Sequence, residues 1–148
     1  MASTFRHLRA RALKSMFKAH TKIYEMTDGR IGSTSRRPML LLSVLGRKSE
    51  KIRTTPLVYF RDGGRYVVVG SDGAARRDPQ WWKNLLVDPR ASVRVGRRTF
   101  AVVATLAVDE ERERLWEIGK GVNPAWASYQ ERTERSLPVV LLSPPDGV

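Results

Sequence analysis

Apolar residues recur along the chain with two different periods. Phe5, Leu8, Ala12, Met16, Ala19 and Ile23 follow one another at three- and four-residue steps, while Arg11, Lys14, Lys18 and Lys22 occupy another face. That pattern predicts a basic amphipathic helix over about residues 4 to 26. From residue 39 onward the pattern becomes that of strands. Met39 to Leu45 is a continuous apolar run, and Thr55 to Arg61 and Arg65 to Ser71 flank Asp62-Gly63-Gly64, which is hairpin chemistry. Ala91 to Val95 and Thr99 to Val108 predict a second hairpin about Gly96-Arg97, and Leu137 to Leu142 a closing strand.

Three helices are expected between these strands. Pro79 to Val87 carries Trp81, Trp82, Leu85 and Leu86 and is ended by Asp88-Pro89. Residues 110 to 119 follow Asp109 as an N-cap, with Glu110, Glu111 and Glu113 suited to the positive end of the helix dipole. Pro124 opens a third, to about Thr133. Six strands dominated by hairpins, with three or four helices, predict an α+β antiparallel barrel rather than a doubly wound sheet. Residues 27 to 38, with Gly29, Gly32 and Pro38, have turn composition, so residues 1–37 are expected as helix and loop and 38–148 as the barrel.

Composition narrows the chemistry. The 148 residues contain no cysteine, which excludes disulfides, thiolate metal sites and a cysteine nucleophile. A reducing cytosol fits this. The two histidines, His7 and His20, both lie in the first stretch, so a histidine metal cluster or a Ser-His-Asp triad in the body is excluded, and no metal is expected. No apolar run reaches the roughly 20 residues that cross a bilayer. The chain holds 27 Lys plus Arg against 15 Asp plus Glu, a formal charge of +12, and the excess is concentrated in the first third. For the N-terminal helix this suits either a solvated face over an apolar stripe or attachment to an anionic membrane surface. Nucleic acid is disfavoured, because no helix-turn-helix or ribonucleoprotein signature accompanies the charge.

Three clusters bear candidate chemistry. Gly46-Arg47-Lys48-Ser49-Glu50-Lys51-Ile52-Arg53 leaves a strand as a cationic turn suited to a phosphate or to solvent, and it lacks the glycine spacing of an ATP or NAD loop. Gly70-Ser71-Asp72-Gly73-Ala74-Ala75 would let a flat ring approach the backbone, with Trp81 and Trp82 as stacking walls or core and Asn84 as a loop anchor. Trp126 and Tyr129, one helical turn apart, wall a pocket or pack the core.

In this order and spacing the segments GRKSEKIRTTPLVY (46–59), GSDGAARRDPQWWKNL (70–85) and NPAWASYQERTERSLPVVLL (123–142) resemble the deazaflavin-dependent nitroreductase family. This is the Ddn-like branch of the split β-barrel flavin and deazaflavin oxidoreductases. The resemblance implies binding of coenzyme F-420, whose tail bears a phosphate and several glutamates. It also implies hydride transfer to an electrophilic acceptor such as a quinone, an activated alkene or a nitroaromatic. It places Arg47, Lys48 and Arg53 on the tail phosphate, with Ser49 and the strand Thr54, Thr55, Pro56, Leu57 and Val58 alongside. Gly70, Ser71, Asp72, Gly73 and Ala75 would border the ring, and Trp81, Trp82 and Asn84 would support it. Trp126 and Tyr129 would line the substrate pocket, with Tyr129 the candidate proton donor. Family members usually carry Gly where this chain has Glu50, and commonly where it has Ala74; at Glu50 this points to a wanted positive φ. FMN is the alternative cofactor, and a non-catalytic barrel binding a cofactor or a fatty-acid-like ligand the alternative function. Split barrels often pair, which leaves a homodimer open while the sequence does not fix the oligomeric state, and the family's actinobacterial spread suggests a bacterial cytosol or the inner face of its membrane.

Overall fold

The computed structural model describes residues 37–145, so the basic helix expected over residues 4 to 26 lies outside the described residues. One antiparallel sheet contains β1 (Met39–Leu45), β2 (Ile52–Val58), β3 (Phe60–Asp62), β4 (Arg65–Val69), β5 (Arg90–Val95), β6 (Arg98–Leu106) and β7 (Val139–Ser143). Their order is β2-β1-β5-β6-β7-β4-β3. The strands at the two ends of that order, β2 and β3, are separated in the chain by Tyr59 alone. The sheet must therefore curl until its ends meet, and β2 does reach β4, closing an antiparallel barrel.

Tyr59 is the hinge, its N–H donating to the Pro38 carbonyl at 3.0 Å as the chain stops pairing with β1 and starts pairing with β4. The single strand expected over Thr55 to Arg61 is thus one bent strand in two parts, and it starts earlier, at Ile52. The charged stretch around Lys51 and Arg53 conceals that start, because this part of β2 is exposed and has no apolar inner row to mark it. Both hairpins form where the glycines place them, with Asp62 opposite Arg65 and Val95 opposite Arg98.

Side-chain alternation separates two cores. Leu40, Leu42, Val44, Val68, Val93, Val102, Val140 and Leu142 fill the barrel, and helix α1 (Gln80–Val87) plugs one end with Trp81, Trp82 and Leu85. The other face of β4 and β7, Val67, Val69, Val139 and Leu141, is covered by α2 (Asp109–Val122) and α3 (Ala125–Glu131) through Leu115 and Trp126. Burial on both faces explains why these strands read as unbroken apolar runs. Asp109 does not cap α2 as expected. It is the helix's first residue, at φ 54, with Val108 at the cap position and no side-chain capping bond. The preceding Ala107 N–H is held by the Val139 carbonyl at 2.9 Å, so the turn into the helix falls on Asp109, a residue type that tolerates left-handed backbone.

An ion cluster ties the β3–β4 hairpin to α2. Asp62 accepts from both Nη atoms of Arg114 at 3.0 Å and from Arg65, whose guanidinium also reaches Glu111 at 3.2 Å. Hydrogen bonds from Arg114 and then Arg65 hold the Asp62 carboxyl well below the usual carboxylate range. A depressed carboxylate contributes stability above its unfolded-state value near ~4 and loses it as pH falls toward the folded value. Asp62→Asn is therefore expected to cost about 1 kcal/mol at neutral pH, after solvent screening. The gap between wild-type and variant melting temperatures should stay level down to about pH 5 and close below about pH 4. A gap independent of pH down to acid unfolding contradicts this assignment.

Candidate active site

The connection between β1 and β2 is a tight cationic turn. The Gly46 N–H donates to the Lys51 carbonyl at 2.8 Å, the Gly46 carbonyl accepts the Glu50 N–H at 2.9 Å, and Ser49 Oγ accepts the Lys51 N–H at 3.3 Å. A Cβ at position 46 would lie 2.5 Å from Ser49 Oγ and 3.1 Å from the Lys51 carbonyl oxygen, so glycine lets the turn close this tightly. Glu50 sits at φ 58, as the family's glycine at this position implies. The left-handed region costs a residue with a Cβ about 1–2 kcal/mol, partly offset by the greater unfolded-state freedom of glycine. Glu50→Gly is accordingly expected to raise stability by about 0.5 to 1 kcal/mol in a denaturant titration. A destabilised variant would show that the Glu50 side chain makes a compensating contact.

The four cations of this turn divide into two groups. Arg47 is turned inward: its N–H and its Nη1 donate to Asn84 Oδ1 at 3.1 and 2.7 Å, and its Nη2 to Gln80 Oε1 at 2.9 Å. Asn84 is buried on α1, so this helix anchors the turn. Lys48, Lys51 and Arg53 are exposed, and no acceptor engages their side chains among the described residues. Of the strand expected alongside them, Thr54 Oγ1 bonds Ser43 Oγ at 2.8 Å, Thr55 is half-buried, Pro56 is buried, and Leu57 and Val58 pack against the first and second cores.

The loop from Gly70 to Asp78 leads directly into α1. Its Gly70 N–H donates to the Pro138 carbonyl at 2.9 Å, and a Cβ at Gly70 would stand 2.6 Å from the Pro138 ring. Asp72, Gly73 and Ala74 form a short turn, all three at positive φ (42, 60 and 67), closed by bonds from Ala74 N–H to Ser71 and from Ala75 N–H to Asp72. Although Asp72 is exposed as a residue, desolvation pushes its carboxyl up and the Arg135 charge draws it back. The side chain that shapes this loop is Arg135, which bonds the Gly70, Ser71 and Ala75 carbonyls and Asp78.

Helix α3 packs on the Asp72–Ala74 turn. Asn123 sets its start, the side-chain oxygen accepting the Ala125 N–H at 3.3 Å. Trp126 lies in the second core against Phe60, 3% exposed, with ring centroids 6.4 Å apart. Tyr129 is half-buried, with the Arg132 guanidinium 6.0 Å from its ring, and its hydroxyl meets no protein partner among the described residues. Trp81 and Trp82 are also core residues, packed edge to face at 6.5 Å, so any support they give a ligand passes through the barrel end they fill. Turn 46–51 is thus anchored on α1, loop 70–78 leads into α1, and α3 packs on that loop through the Asp72–Ala74 turn. Gln80 and Arg135 also belong to this region, and no local pattern marks either of them. Arg135 stands in the charged run Glu131-Arg132-Thr133-Glu134-Arg135, where nothing marks one arginine as turned inward. Among the described residues no group of three His, Asp or Glu side chains could hold a metal.

Residues 16–144 match the model of the F420H(2)-dependent quinone reductase family. An F420H(2)-dependent quinone reductase of Mycobacterium tuberculosis strain H37Rv is 39% identical over 133 residues, covering 86% of this chain and 89% of that protein. A solved F420-H2 dependent reductase, FDR-A, superposes with a TM-score of 0.67 at 33% identity, covering 72% of this chain and 95% of that one. A second solved structure, described as a domain-swapped dimer, superposes with a TM-score of 0.69 at 30% identity, covering 85% and 95%.

Proposed function

Because the chain belongs to the F420H(2)-dependent quinone reductase family, we propose that its reaction, hydride transfer from reduced coenzyme F-420 to a quinone, runs where α1 carries turn 46–51 and loop 70–78, with α3 packed on that loop. The observation that carries this placement is the divided turn. Arg47 is anchored inward, and Lys48, Lys51 and Arg53 are left as exposed, unengaged cations. Those three match a phosphate and carboxylates on the cofactor tail, with Ser49 and the hydroxyl of Thr55 beside them.

The loop fits a flat ring for a second reason. The N–H groups of Ser71, Asp72 and Arg76 meet no protein acceptor among the described residues, and no atom lies within 4 Å of a Cβ built on Gly73. When bound, the deazaflavin supplies the hydride. The chain's own work is to hold the tail, border the ring and place the acceptor against it, which needs few ionisable groups. Tyr129 donates the proton that the reduced quinone oxygen takes up. Tyr129→Phe is expected to lower kcat about tenfold, with water as the substitute donor, and to leave the dissociation constant of oxidised F-420 unchanged.

The test is a Trp-fluorescence titration with oxidised F-420 and with FMN, followed by oxidation of reduced F-420 by menadione. Binding of the deazaflavin together with turnover supports the proposal. Binding without turnover favours the non-catalytic barrel, and a preference for FMN moves the cofactor assignment. The basic helix expected over residues 4 to 26 is assigned to anionic lipid on the cytoplasmic face of a membrane. Sedimentation with phosphatidylglycerol vesicles that fails even at low salt removes that role. A homodimer is assigned by analogy with the domain-swapped neighbour, and a monomeric mass in light scattering would exclude it.

A further inference from the structure

One guanidinium organises the loop assigned to the ring. The Arg135 side chain, 14% exposed, donates through Nε to the Ala75 carbonyl at 2.7 Å and through Nη2 to the Ser71 carbonyl at 2.7 Å. Its Nη1 donates to the Gly70 carbonyl at 3.0 Å and to Asp78 Oδ1 at 2.9 Å. These bonds engage four of the five N–H donors of the fork. Three carbonyl dipoles that would repel one another are thereby gathered on a single charge, beside three consecutive residues at positive φ.

The geometry of the peptide unit gives this a directional consequence. In a trans peptide the C=O and the following N–H point in opposite directions. With the Gly70, Ser71 and Ala75 carbonyls drawn onto Arg135, the N–H groups of Ser71, Asp72 and Arg76 are turned away from it, and among the described residues no protein acceptor takes them up, as none takes up the neighbouring Gly73, Arg77 and Asp78 amides. Arg135 is itself located from α3: Gln130 Nε2 donates to the Arg135 carbonyl at 2.8 Å, and Gln130 Oε1 accepts the Leu137 N–H at 3.0 Å. Gln130 follows Tyr129 directly, so the proposed proton donor and the loop share one anchorage.

We propose that Arg135 is a positioning residue for the cofactor. It presents the Ser71, Asp72 and Arg76 amides as a preorganised donor set for the acceptor atoms of a heterocyclic ring. The inference rests on the reading of loop 70–75 as the border of the deazaflavin. Lysine cannot substitute, because a point ammonium lacks the planar fork that reaches three carbonyls and a carboxylate together.

The experiment compares Arg135→Lys with Asp62→Asn, a lesion in an ion cluster on α2 and the β3–β4 hairpin. Three quantities are measured: oxidised F-420 affinity, melting temperature, and hydrogen exchange at the Gly70, Ala74 and Ala75 amides, which are bonded only while the loop holds its shape. Arg135→Lys is expected to weaken binding about tenfold or more and to speed exchange at those amides, with the strands of the barrel unchanged. Asp62→Asn is expected to lower the melting temperature and move neither of the other readings. Gln130→Ala, which loosens Arg135 from the other side, gives the same pattern at smaller size and serves if Arg135→Lys does not fold. Binding within about twofold of wild type, or exchange accelerated throughout the barrel, overturns the proposal. If the wild-type protein itself does not bind F-420, the ring reading fails. The exchange arm then still decides whether Arg135 holds the loop, local opening supporting it and unchanged protection overturning it.

Discussion

Replacing Lys48 and Arg53 together with alanine is expected to weaken binding of oxidised F-420 by about 100-fold or more. In the proposed placement each would contribute a charge-assisted contact to the cofactor's tail, worth about 1.5 to 3 kcal/mol, and two such losses at the low end amount to roughly two orders of magnitude. The fold should survive, because both side chains are exposed and neither supports a neighbour among the described residues. The wild-type affinity should also fall steeply with added salt, and the double variant's more gently, since fewer cations then face the polyanionic tail. Fluorescence titrations at two ionic strengths read both effects. Equal affinity in wild type and variant would move the phosphate site away from this turn and leave Lys48, Lys51 and Arg53 as solvated surface charge.

Asn84→Ala should strike the same turn from beneath. The Asn84 Oδ1 accepts from the Arg47 main chain at 3.1 Å and from its guanidinium at 2.7 Å, in a position only 5% exposed. Removing that acceptor strands a partly buried charged donor and an amide, at a cost of about 2 to 3 kcal/mol. Cofactor affinity should fall with it, because the cations are placed by a turn that has lost its anchor. Asn84→Asp keeps oxygen acceptors for both donors, so it should retain most of the stability and binding that alanine loses. Chemical denaturation and F-420 titration of the pair check this. Alanine and aspartate variants that behave alike would mean that the Asn84 carbonyl oxygen does not hold the turn.

Much of the architecture is visible in local chemistry. The Asp62-Gly63-Gly64 and Gly96-Arg97 hairpins, the largely apolar runs of β1, β4 and β7, and the helix ended by Asp88-Pro89 all follow from turn geometry and burial pattern. The cationic turn could be recognised as well, with its glycine, its small hydroxyl residue and a position wanting positive φ at Glu50. These features are local: each is set by neighbours within a few residues, so the order of residues suffices to specify it.

What the linear order left open are choices between partners far apart in the chain. Whether Arg47 faces a phosphate or the interior depends on Asn84, 37 residues away. Whether Trp126 lines a pocket or fills a core depends on Phe60 reaching α3. Whether the strand after Thr54 runs straight or bends at Tyr59 depends on the sheet closing on itself. The largest such case is Arg135, which reaches 60 to 65 residues back to the carbonyls of a loop that carries no charge complementary to it at Gly70, Ser71 or Ala75. Backbone carbonyls have the same identity at every position, so no residue pattern can announce that three of them will converge on one guanidinium. The residue pattern determined that a barrel forms and where its basic turn lies, while barrel closure decided which cations face inward, which remain exposed, and which one shapes the loop before α1.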